Sequence, residues 1–146
     1  MDWLQKIEND PVLAQTLSRF LAAYGLSGLS HAMRDYISMQ QEYICKTKTE
    51  ISKIKIIDIN YLTIHTHTIH IYTPHGVYQK YGSLNNEYKI LSGYGFLRCN
   101  QSTLVAIRKI RTIRKNTILL TDNTVLHLSR NCAPKILMEF SLRSID

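Results

Sequence analysis

Apolar positions along the chain change period near residue 45. Over residues 11–24 (PVLAQTLSRFLAAY), Val12, Leu13, Leu17, Phe20, Leu21 and Tyr24 fall at helical spacings. Asp10 supplies an N-cap, and Pro11 suits the first helical position, where its missing N–H removes no helical bond. Gly25 ends this helix. The pattern predicts a second helix that starts after Ser27 or Ser30 and runs through Met33, Tyr36, Ile37, Gln40 and Ile44. The first 44 residues therefore read as a short helical hairpin. Two helices of this size bury little alone, so their apolar stripes need the rest of the protein or another chain.

Beyond Lys46 the period shortens to that of strands. Ile54, Ile56 and Ile57, then Ile59, Tyr61 and Leu62, then Ile69, Ile71 and Tyr72 form short β-branched or aromatic runs between polar turns. Further strand runs occupy 77–81, 103–107, 117–121 and 125–128, and Pro74-His75-Gly76 and Asp122-Asn123 supply hairpin turns. Short helices are expected at 83–91 and at 134–142, the latter with Ile136, Leu137 and Phe140 on one side. The fold class is mainly β. Two segments follow: a helical one at 1–45, for dimerisation or partner docking, and a β domain at 46–146.

Charge sharpens this division. The chain carries +7, but residues 1–44 hold 3 basic and 5 acidic side chains, leaving 15 basic and 6 acidic ones, net +9, in residues 45–146. Such an asymmetry points to a polyanion as the partner of the β segment. With 146 residues and 45% hydrophobic side chains, there is enough chain for one core plus a smaller appended element. No apolar run reaches membrane-spanning length, and the start at Met1-Asp2-Trp3-Leu4 lacks the features of a signal peptide, so a cytoplasmic protein is expected. Cys45, Cys99 and Cys132 are widely spaced, without a C-x-x-C pair, which suggests reduced thiols rather than disulfides or a zinc site.

The richest chemistry lies at residues 96–110, FLRCNQSTLVAIRKI. Arg98, Asn100, Gln101 and Ser102 stand just ahead of an apolar run that carries Arg108 and Lys109. Guanidinium and ammonium groups neutralise phosphates, while amides donate and accept at once, as a base edge requires. The bland alternative is a polar strand end beside a turn. Paired carboxylates, a nucleophile elbow, a phosphate loop and a complete metal set are not found, so neither an enzyme nor a cofactor is expected.

The order of elements resembles a known family. DINYL (58–62), IHIYTPHG (69–76), SLNNEYKIL (83–91), FLRCNQSTLVAI (96–107) and ILLTDNTVLHLSR (118–130) are similar, in sequence and order, to the LytTR DNA-binding domain of bacterial transcriptional regulators, over about residues 54–140. The block around Arg98 to Ser102 is the most specific, since the family writes a similar aromatic-x-Arg-x-polar-polar-Ser. The resemblance implies an elongated, mostly antiparallel β fold that inserts loops, rather than a recognition helix, into successive major grooves. It also implies that Ala106 stands where relatives carry Asn, which removes a turn-fixing hydrogen bond. Only about 44 residues precede the domain, so the expectation is a stand-alone regulator without a receiver domain.

Carried over by position, three loops face DNA. The first is His65-Thr66-His67-Thr68, in which His67 either bonds a base or phosphate or is a solvated hairpin residue. Zinc fits poorly, because His65 and His67 alternate onto one strand face and His70 falls on the other. The second loop holds Asn100 and Gln101, and Gln can pair bidentately with adenine. Arg98 also suits a structural ion pair there, and Ser102 a local cap. The third site is Arg130, whose fork suits guanine or phosphate, followed by Asn131, a DNA ligand or a helix N-cap. Part of the run Arg108, Lys109, Arg111, Arg114 and Lys115 meets backbone, with Lys109 chosen as its representative. The function expected is sequence-specific binding of double-stranded DNA, as a homodimer, with a regulatory protein as a further partner of the N-terminal helices. The alternative is an adaptor that modulates another regulator.

Overall fold

The structure, a computed structural model, describes residues 2–143. Met1 and residues 144–146 of the two expected segments lie outside the described residues. The chain divides into two compact units, Met1–Gln40 and Gln41–Asp146.

In the first unit, α1 (Trp3–Glu8) was not foreseen by the apolar pattern; Asp2 caps it by accepting from the Leu4 N–H at 3.3 Å. The second helix, α2 (Pro11–Gln40), starts as expected, with Asp10 accepting from the Leu13 N–H at 3.0 Å. It breaks at Gly25, where φ is 70° and ψ is −175°, a backbone region that glycine enters without a Cβ clash. A Cβ at Gly28 would fall on that of Tyr24, so the break needs both glycines. Helix resumes at once and ends at Gln40, not at Ile44. None of the residues in α2 is buried, and Leu26, Met33, Tyr36 and Ile37 lie open at helical spacing.

Ile44 belongs instead to a strand. In β1 (Glu42–Lys46), Tyr43 and Cys45 are buried while Glu42, Ile44 and Lys46 face out, and the strand pairs antiparallel with β2 (Ile51–Lys55). Period-two burial overrides the helical spacing that Ile44 shares with Gln40. The main sheet holds five strands, β3 (Tyr61–His65), β4 (Thr68–Thr73), β5 (Gly76–Tyr81), β6 (Phe96–Asn100) and β7 (Thr103–Ala106), in the order β5-β4-β3-β7-β6. Every neighbouring pair is antiparallel. A three-stranded sheet of β8 (Ile110–Ile113), β9 (Thr117–Leu120) and β10 (Val125–His127) follows, again antiparallel. Two helices complete the unit, α3 (Leu84–Leu91) and α4 (Ala133–Arg143).

Two cores sandwich the main sheet. Leu62, Ile69, Ile71, Phe96, Leu104 and Ala106 pack with Tyr43 and Cys45 of β1, Ile54 of β2, and Leu84 and Leu91 of α3. Leu97, Cys99 and Val105 pack with Ile110, Ile118, Leu120, Leu126 and Ile136 of the smaller sheet and α4. Strand β7 is thus buried on both faces, which its unbroken apolar run Leu104-Val105-Ala106 requires. Each fully buried Leu or Ile stabilises the fold by roughly 1.5–3 kcal/mol. Ala106 has lost the side-chain amide expected from the resemblance, but its N–H still donates to the Asn60 carbonyl at 3.1 Å.

Candidate nucleic-acid interface

The antiparallel register brings several turns to one edge of the second unit. The β3–β4 turn, Thr66-His67, lies beside the β6–β7 turn, Gln101-Ser102, because the Ile64 N–H donates to the Ser102 carbonyl at 2.9 Å. The segment after β10 joins them: the Ser129 N–H donates to the Cys99 carbonyl at 2.8 Å, and the Asn100 amide donates to the His127 carbonyl at 2.8 Å. The β8–β9 turn comes next, through the Leu128 N–H donating to the Asn116 carbonyl at 2.9 Å. On the other side, the Gly82 N–H donates to the His67 carbonyl at 3.0 Å, which places the start of α3 at the same edge.

His65, His67, Gln101, Ser102, Arg130 and Asn131 are all exposed along this edge. Thr66 holds φ at 61°, unusual for a β-branched residue, and so presents His67 at the hairpin tip. Among the four polar residues of the central turn, three have structural bonds. Asn100 Oδ1 accepts from the Ser102 N–H at 2.9 Å and from its hydroxyl at 3.1 Å. Arg98 donates from one terminal nitrogen to the Gln101 carbonyl at 2.7 Å and from the other to Asn85 Oδ1 at 2.5 Å. The Gln101 side-chain amide makes no hydrogen bond among the described residues, and on this exposed residue both donor and acceptor are available. Ahead of α4, the Ser129 hydroxyl accepts from the Cys132 N–H at 3.3 Å, so that this turn is capped without Asn131.

Lys109 is not brought to this edge. It ends the 3-10 turn Ile107–Lys109, whose Ile107 N–H donates to the Gly95 carbonyl at 2.9 Å, at the opposite end of β6 and β7. Arg108 is also anchored there, donating to the Ile56 carbonyl at 2.6 Å and stacking over Phe96. Arg111 donates to the Thr121 carbonyl at 2.8 Å. Arg114 and Lys115, exposed in the β8–β9 turn, are the cations of the basic run that share the edge with Arg130. The sequence places both in the basic run but singles out Lys109 instead, because a run of five cations does not show which strand end each will occupy. Pairing of β8 with β9 decides it.

No group of three or more His, Cys, Asp or Glu side chains among the described residues could hold a metal ion. No described helix is long and apolar enough to cross a membrane. Burial pushes the Cys99 thiol up to about 12, with nearby Cys132 adding to the shift, and raises Cys45 as well.

This is a β domain that carries exposed amide, imidazole and guanidinium groups on adjoining turns, the equipment of a nucleic-acid reader. Residues 49–140 match the family model of the LytTr DNA-binding domain, and the chain belongs to that family of DNA-binding domains, which are not enzymes. It is similar in fold to the LytTr DNA-binding domain of a putative methyl-accepting/DNA response regulator from Bacillus cereus. That likeness has a TM-score of 0.59 at 16% sequence identity and covers 68% of this chain and 96% of the other. A search of curated proteins gave no match.

Proposed function

We propose that this protein is a transcriptional regulator that binds double-stranded DNA sequence-specifically, with its turns in successive major grooves. The observation that carries the reading is the exposed edge where Gln101, His67 and Arg130 stand side by side on hydrogen-bonded turns, with Arg114 and Lys115 beside them. Gln101 and Arg130 read base edges, His67 bonds a base or phosphate, and Arg114 and Lys115 neutralise phosphates. Two copies occupy half-sites about one helical turn apart. The N-terminal helices supply the contact between copies or receive a regulatory protein, and the protein acts in the cytoplasm.

The test is a mobility-shift comparison of a duplex selected by the protein from a randomised pool with a scrambled control. Gln101→Ala and Arg130→Ala should each cost about 1–3 kcal/mol on the selected duplex and lower discrimination. Lys115→Ala should weaken both duplexes alike, and Lys109→Ala should weaken neither. Equal losses on both duplexes for Gln101→Ala and Arg130→Ala would refute base reading.

A further inference from the structure

The central turn is held from outside itself. The Arg98 guanidinium forks between the Gln101 carbonyl, at 2.7 Å, and Asn85 Oδ1, at 2.5 Å. Bonds from an ionised donor are stronger than neutral ones, and a planar fork fixes direction as well as distance. One end of the fork therefore sets the orientation of the peptide behind the Gln101 side chain. The other end rests on the first turn of α3.

That helix is a firm support. Glu87, only 2% exposed, accepts from Lys80 Nζ of β5 at 2.8 Å and from the Tyr43 hydroxyl of β1. Leu84 and Leu91 are buried on the same helix, and Ser83 caps it by accepting from the Asn86 N–H at 3.2 Å. Asn85 itself is exposed and adds nothing to the core. Its bond to Arg98 is thus the link from a packed element to the turn that carries Gln101.

We propose that Asn85 is a positioning residue for DNA reading, acting through Arg98 on the Gln101 turn; this rests on the DNA-binding reading above. Base pairing by an amide demands placement within about 0.5 Å, and a turn freed from its strut loses that precision. Arg98 is consequently a strut rather than a phosphate ligand. Loss of Asn85 releases the guanidinium, so discrimination falls while affinity for unrelated DNA is kept or rises.

The experiment uses the full chain, a duplex that the wild-type protein selects from a randomised pool, and a scrambled duplex of equal length. Asn85→Ala should lower the ratio of the two affinities about tenfold, with an unchanged thermal midpoint. Asn85→Asp keeps the acceptor, so it should preserve the ratio even though its charge weakens both complexes. Arg98→Ala should match Asn85→Ala in ratio and leave the salt dependence unaltered, and the double variant should lose no more than Arg98→Ala alone. A wild-type ratio in Asn85→Ala, or additive losses in the double variant, would overturn the strut while leaving DNA reading intact. A wild-type protein that selects no duplex would overturn the reading and the positioning role together.

Discussion

At the residue scale, the same chemical group does different work according to what lies within reach. Asn100 and Gln101 are neighbours with the same amide, yet Asn100 ties its turn to the His127 carbonyl and to Ser102, and Gln101 is left facing outward. The sequence shows an amide pair beside a strand end; the partner 27 residues later in the chain shows which member is structural. Strain is equally local. Thr66 at a φ of 61° is a β-branched residue in left-handed space, so Thr66→Asn should stabilise the protein by roughly 1 kcal/mol in chemical unfolding. Cys99 supplies a pH signature. Its folded thiol keeps its proton up to about 12, whereas the unfolded chain ionises near the ordinary value of 9.0. The stability it contributes is fully present below 9.0 and is lost as pH rises toward about 12, so unfolding free energy should fall across that range. Cys99→Ala should flatten the slope.

Elements were legible where period and punctuation agreed. Strands β3, β4, β5, β7, β9 and β10 and helices α3 and α4 follow from β-branched runs, Ser83 as a cap and Pro134 near a helix start. The exception is instructive: Ile44 continues a helical spacing, but Tyr43 and Cys45 are the pair that finds a core, and so the segment becomes β1. This strand carries the Tyr43 hydroxyl that bonds buried Glu87, and burial, followed by that bond, raises the Tyr43 pKa. A chain cut before Gln41 should therefore keep a cooperative β unit. Tyr43→Phe in it should cost about 1–3 kcal/mol, the penalty of removing one donor from a buried acceptor, measured by urea unfolding.

At the scale of the whole molecule, the cationic unit and the open apolar helix make separable contributions. If about six phosphates are neutralised, log K should fall with log salt at a slope of roughly −5 in a filter-binding titration, and a slope near zero would refute a phosphate-borne interface. Deleting residues 1–40 should leave the affinity of one copy for a single half-site unchanged but lower the sedimentation-measured mass or the affinity for paired half-sites. Unchanged values for both would show that α2, with Leu26, Met33, Tyr36 and Ile37 exposed, does not join copies. By itself the sequence determined the alternation of apolar and polar positions, hence strands β3, β4, β5, β7, β9 and β10, the helices α3 and α4, the charge asymmetry and the amide-rich turn, because these depend on residues close together in the chain. Tertiary structure decided which turns meet. Strand register carries Arg114 and Lys115 to the edge shared by Gln101 and Arg130 and leaves Lys109 at the other end, because each strand's direction and partners are set by burial and hydrogen bonding across the sheet.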